Sequence, residues 1–217
     1  LATATGFESV YIPSPGDDAR TSMGSAMYAY HQLLGHSRVE PVYSAFTGAR
    51  YSNDEIEKLL KSRSIQYKIY PDEELYDLVT DKLIEPGVVG WFNGRAEFGP
   101  RALGARSILA DPRNSKAKDL LNLKIKRRES FRPFAPSILK EYTGEYFTRA
   151  DEVPFMEKVF PIREEKRALI PAVCHVDGSG RLQTVDKIIA PRYHALIECF
   201  RQKTGVPILL NTSFNEN

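Results

Sequence analysis

Two short apolar runs, Gly87–Phe92 (GVVGWF) and Ser107–Ala110, are joined by Asn93 and the stretch Gly94-Arg-Ala-Glu-Phe-Gly-Pro-Arg-Ala-Leu-Gly-Ala-Arg-Ser107. Apolar runs this short, bounded by turn signals, read as strands, and Gly87–Phe92 is expected to be buried. The connecting loop, with three Gly, three Arg and one Glu, has no helical or strand period. Strands joined by long polar loops and interleaved with helical patterns argue for an α/β or α+β fold around one twisted sheet.

The remaining elements follow from spacing. Glu8–Pro13 is expected to be a strand, and Met23, Ala26, Met27 and Tyr30 place a helix over about 20–34 that stops at Gly35. Ser52-Asn-Asp-Glu55 is a capping-box pattern ahead of Ile56, Leu59 and Leu60. A second helix begins near Asp72, with Leu75, Leu78, Val79 and Leu83 expected to face inward. Lys116–Leu123 reads as a helix and Phe134–Leu139 as a strand, which Pro133 and Pro136 assign to a sheet edge. Val173–Val176 and Leu182–Val185 flank Asp177-Gly-Ser-Gly180 as a hairpin. Pro191 opens a last helix that Gly205 closes, and Val206–Leu210 is a buried strand running into Asn211-Thr-Ser-Phe-Asn215. Residues 36–50 are irregular and hold the expected domain boundary. Both ends are expected to be cut.

No apolar run is long enough to cross a bilayer and no signal peptide is visible, so no membrane partner is expected. Cys174 and Cys199 are the only cysteines and are read as free thiols in a reducing cytoplasm. The net charge is +2, yet residues 95–132 hold eleven Lys/Arg against four Asp/Glu. Such a local concentration in a near-neutral chain points to an anionic small molecule rather than to nucleic acid.

Arg95, Arg101 and Arg106 can fork onto phosphate oxygens, and the loop glycines let backbone N–H groups approach an anion. There is no G-x-x-x-x-G-K-[ST], so the loop is not a P-loop. Lys124-Ile-Lys-Arg-Arg-Glu-Ser-Phe-Arg132 supplies Lys126, Arg128 and Arg132, although cations at a helix end account for Lys124 to Arg128 almost as well. Asn211, Ser213 and Asn215 follow a strand where open sheets place ligands, or simply form a capping loop. His175, in His-Val-Asp-Gly-Ser-Gly-Arg-Leu-Gln183, and Glu97 are weaker candidates for polar contacts. Gly16-Asp17-Asp18 either caps a helix or binds a metal.

In order, GRAEFGPRALGARSILADPR, KRRESFRPFAPSIL, HVDGSGRLQTV and GVPILLNTSFN resemble the signature runs of carbamoyltransferases related to nodulation protein U and to the cephamycin and tobramycin O-carbamoylation enzymes. The resemblance covers nearly the whole chain. It implies residues 1–45 as the tail of an ASKHA-type transfer domain and 46–217 as a YrdC-like module with a twisted mixed sheet and flanking helices. It implies carbamoyl-adenylate made from carbamoyl phosphate and ATP with Mg, for transfer to a small-molecule hydroxyl acceptor, in a possible homodimer. Arg95, Arg101, Arg106, Lys126, Arg128 and Arg132 are then the anion-binding set. Glu97, His175, Asn211, Ser213 and Asn215 are nucleotide or carbamoyl contacts. Asp17 matches a ligand of an iron-type metal site whose histidines lie upstream, but Ala19 stands where the pattern has Gly and an extra residue precedes Gly24. By this reading the chain binds ATP weakly and does not complete carbamoyl transfer alone. The alternatives are a YrdC-type module that binds RNA or makes threonylcarbamoyl-adenylate, and an inactive interaction fragment.

Overall fold

The structure, a computed structural model, describes residues 6, 12–15, 19–40, 43–129 and 131–214. Asp17, Asn215 and most of the strand expected over Glu8–Pro13 lie outside the described residues.

Helix α1 (Arg20–Tyr28) runs on through a π-helical turn (Ala29–Leu33), and Gly35 follows at φ +70. Helix α2 (Asn53–Ser62) opens on the expected capping box. Ser52 N donates to Glu55 Oε2 at 2.7 Å and Glu55 N donates to Ser52 Oγ at 3.3 Å. In α3 (Asp72–Ile84) the buried face is Tyr76, Val79, Thr80 and Leu83, a run of three- and four-residue steps. Leu78, expected inside, falls between those positions and is exposed.

Five strands form one mixed sheet: β1 (Val88–Phe92), β2 (Arg106–Ala110), β3 (Ala135–Leu139), β6 (Gln183–Val185) and β7 (Ile208–Ser213). Their order is β1-β2-β7-β3-β6, with every pair antiparallel except β3 with β6. The remaining helices among the described residues are α4 (Ala117–Leu120), α5 (Thr143–Tyr146), α6 (Glu164–Arg167) and α7 (Pro191–Thr204). Helix α7 packs on α3 and on β3 and β7. Leu196, Ile197 and Phe200 meet Leu109, Ile138, Leu139, Ile208 and Leu209 in the core, all buried. Burial of each such side chain stabilises the fold by about 2 kcal/mol.

Four expectations need correction. Strand β1 is at the edge of the sheet and buries only Trp91. Strand β3 lies inside the sheet, between β7 and β6. Pro136 is tolerated there because the ladder with β6 begins only at Ser137, so at Pro136 the strand has one neighbour. The Asp177-Gly178 turn forms, with Gly178 at φ +79, but its flanks do not pair with each other. Instead β5 (Ser179–Gly180) pairs with β4 (Phe160–Pro161), and β6 joins β3. Finally, β7 extends through Ser213, so Asn211 is a buried strand residue, not part of a loop beyond the strand.

The long loop is stitched to the segment before α2. Phe98 N donates to Ala45 O at 2.8 Å, Gly48 N to Ala96 O at 2.9 Å and Ala96 N to Ala49 O at 2.8 Å.

Candidate anion-binding site

Polar side chains beneath the loop fix its shape. The Glu97 carboxylate accepts from three backbone N–H groups, of Leu103 at 2.7 Å, Ala105 at 2.8 Å and Arg106 at 3.2 Å. Gly104 N donates to Ser107 Oγ at 3.0 Å. The carbonyls are held from the sheet: Asn211 Nδ2 donates to Ala102 O at 3.1 Å and Gln183 Nε2 to Leu103 O at 2.8 Å. Ser137 Oγ, donating to Gln183 Oε1 at 2.7 Å, ties β3 to the same network. Gly104 is required on two counts. Its φ is +102, and a Cβ there would lie 2.1 Å from the Tyr193 ring. The N–H groups of residues 103–106, expected to face an anion, are therefore turned into the protein.

The arginines of the loop divide. Arg106 donates to the carbonyls of Asn93 at 3.0 Å and Gly94 at 3.1 Å, and its guanidinium lies 3.5 Å over the Phe92 ring. Arg95 donates to Thr47 O at 2.8 Å. Both bind the loop to neighbouring backbone. Arg101 is exposed and makes no side-chain hydrogen bond or ion pair among the described residues.

The basic arm is carried by a π-helical turn, Leu121–Lys126, that continues α4 and ends at Arg127 in the left-handed region, φ 47. Buried Asn122 clamps the arm at both ends. Its Oδ1 accepts from Arg128 Nε at 2.8 Å and its Nδ2 donates to Arg132 O at 3.1 Å. Lys126, 2% exposed, donates to the backbone carbonyl of Ser213, and Ser213 Oγ lies 3.4 Å from its ammonium. Burial, with Arg128 adding to it, pushes the Lys126 ammonium down to about 8. Arg132 pairs with Glu129 at 2.8 Å on the rim.

Arg181 completes the group and was not among the residues singled out from sequence. It lies between β5 and β6, its Nε is buried without a hydrogen-bond partner among the described residues, and burial and like charges bring its pKa down to about 10. Burial is the main cause, and the positive charges of Arg101 and Arg128 add to it. The signal was in the sequence, in the Gly-Ser-Gly-Arg run, but the expected hairpin drew attention to His175 instead. His175 borders the same cluster. Burial lowers it most; Asp177 opposes that shift, whereas Arg181 and Lys118 add to it. Lys118, His175 and Asp177 line a cavity of ≈ 390 Å³ with Phe131 and Pro133.

Thus Lys126 sits beside Ser213 at the end of β7, the charge of Arg128 reaches Lys126, and the charges of Arg101 and Arg128 reach Arg181. Arg132 and His175 are peripheral, while Glu97 and Asn211 shape the loop. Among the described residues no group of three His, Cys, Asp or Glu could hold a metal ion. No helix among them is long and apolar enough to cross a membrane.

Comparison with known proteins agrees with these motifs. An uncharacterized protein of Synechocystis sp., sll1178, is 41% identical over 96% of this chain and 38% of its own length. Nodulation protein NolNO of Sinorhizobium fredii is 42% identical over 97% of this chain and 32% of its own length. The 3'-hydroxymethylcephem-O-carbamoyltransferase of Amycolatopsis lactamdurans is 35% identical over 97% of this chain and 38% of its own length. The chain therefore spans about a third of the length of the curated relatives it matches. Residues 80–217 match the family described as Carbamoyltransferase C-terminus, and the chain belongs to that family.

Proposed function

We propose that this chain is the phosphate-handling part of an O-carbamoyltransferase, in which Arg101, Lys126, Arg128 and Arg181, with Ser213, bind the phosphates of carbamoyl phosphate and ATP. The observation that carries the reading is the surroundings of Arg181: a half-buried guanidinium with a buried Nε, whose hold on its proton is weakened first by burial and then by Arg101 and Arg128, with no carboxylate among the causes. Assembling like charges in a poorly solvated place is unfavourable in the free protein and becomes favourable when a polyanion enters.

In this reading water attacks the carbonyl carbon of carbamoyl phosphate and inorganic phosphate leaves; the carbamate so formed attacks the α-phosphorus of ATP, pyrophosphate leaves, and carbamoyl-adenylate forms. Arg101 and Arg181 neutralise charge on the phosphates, and Lys126 beside Ser213 aligns the nucleotide; such chemistry needs alignment and charge more than an acid–base pair. Magnesium would accompany ATP. Arg95 and Arg106 brace the loop, and Arg132 screens the entrance. We assign residues 46–217 to a YrdC-like module and 1–45 to the end of an ASKHA-type transfer domain. Asn215 and the iron-type site at Asp17 remain part of the proposal by resemblance. The acceptor is a small-molecule hydroxyl, as the name of the cephem relative says of that protein.

Calorimetry with ATP, and pyrophosphate release in its presence, tests this. Release is expected with carbamoyl phosphate and not with threonine and bicarbonate, and Arg181→Ala is expected to remove both binding and release. Unchanged ATP binding in Arg181→Ala would remove the basis of the proposal. Release driven by threonine would favour the threonylcarbamoyl-adenylate alternative.

A further inference from the structure

Hydrophobic side chains are unevenly placed in this molecule. Among the described residues, twelve of the twenty-four exposed large hydrophobics fall between Met27 and Ile69, whereas Ala45 is the one buried hydrophobic before Tyr76. Helix α2 buries none of its residues, although its spacing makes it amphipathic. After it, Ile65-Gln-Tyr-Lys-Ile-Tyr70 runs to Pro71 without a turn or bend.

This segment has the marks of a strand without a neighbour. Ile65 N donates to Leu60 O at 3.0 Å, closing the helix, and among the described residues no backbone hydrogen bond is made from Gln66 to Tyr70. Ile65, Tyr67 and Ile69 alternate with Gln66 and Lys68, so a strand puts the three apolar residues on one face. Ile65 is 51% exposed and Ile69 80%. Tyr67 OH donates to Glu57 Oε1 at 2.6 Å, which turns that apolar face toward α2.

We propose that Ile65–Tyr70 pairs antiparallel with the same segment of a second copy of this chain, about a two-fold axis through Tyr67. The sequence complements itself in that register. Ile65 stands opposite Ile69 of the second copy, Tyr67 opposite Tyr67, and Gln66 opposite Lys68, so like meets like on the apolar face and no two lysines face each other. Because each Tyr67 is tied to its own α2, both α2 helices lie on the same side of the two strands. They cover Ile65, Ile69 and Leu59, which is 56% exposed in the single chain. Two strands alone are marginal in water, and the two helices supply the layer that makes them stable. This surface is independent of the anion site.

Sedimentation equilibrium of the 217-residue chain is the test. A concentration-dependent monomer–dimer equilibrium is expected. Ile69→Lys, at a position too exposed to matter for folding, is expected to abolish the dimer with the far-ultraviolet circular dichroism unchanged. A nitroxide on Tyr67→Cys, with Cys174 and Cys199 replaced by serine, is expected to show spin–spin broadening in the dimer. A chain that is monomeric at all concentrations overturns the proposal. So does a dimer that survives Ile69→Lys, or one without broadening at position 67. A monomer whose segment becomes protected only when further polypeptide precedes it, as the greater length of the relatives allows, counts equally against it.

Discussion

In the proposed site, Lys126 couples binding to stability. Its folded proton affinity is lowered to about 8 from 10.5, so the charged form is disfavoured by folding. Below pH 8 the ammonium is charged in both states and the destabilisation is complete; it is relieved as pH rises from about 8 toward 10.5. The stability of the parent chain relative to Lys126→Met should therefore rise over that interval, as urea titrations at several pH values would register. An entering phosphate restores the charge, so ATP binding near pH 8.5 should take up protons, measurable by calorimetry in buffers of different ionisation enthalpy. Gly104→Ala should cost about 3 kcal/mol, since strain at φ +102 adds to the collision with Tyr193. At this scale the sequence was only partly legible. Residue type marked Lys126 and Arg128 as candidates, but whether an arginine faces a cavity or a carbonyl depends on neighbours far along the chain. Arg106 is held by the carbonyls of Asn93 and Gly94, whereas Arg181 is half-buried within reach of the charge of Arg101.

Among the elements, those with local causes were readable. The Ser52–Glu55 box, Pro191 at the start of α7 and Gly205 at φ +76 at its end act within one turn, and each appears where the pattern puts it. Elements decided by distant pairing were not. The strand signal at Phe134–Leu139 was right, but its interior place depends on β7 and β6 arriving on either side. The turn at Asp177-Gly178 was right too, yet Ser179–Gly180 pair with β4 and the outgoing strand β6 joins β3. Helix α2 allows a clean test of local against global stability. Ser52→Ala removes one cap, worth about 1 kcal/mol. Because α2 contributes nothing to the main core, the melting temperature of the chain should hardly move, while amide exchange in residues 53–62 should accelerate.

For the whole molecule, the net charge of +2 conceals the basic excess between residues 95 and 132, and the folded chain concentrates part of it beside Ser213. In the proposed site the attraction of ATP is partly long-range, so the dissociation constant should increase steadily with sodium chloride, and more weakly so in Arg101→Ala, whose guanidinium is the exposed member. Mixed architecture was legible from the alternation of patterns; strand order was not, since it rests on which hydrophobic faces meet. The clamp formed by Glu97, Asn211 and Gln183 has a consequence for selectivity. With the amides of residues 103, 105 and 106 already satisfied by a carboxylate, a ligand of the proposed site would meet guanidinium and ammonium tips, not a rigid cradle of main-chain dipoles. Such tips follow charge and forgive shape, so a methylene-bridged triphosphate should compete nearly as well as the natural one, while each ionised oxygen lost should weaken the competitor sharply.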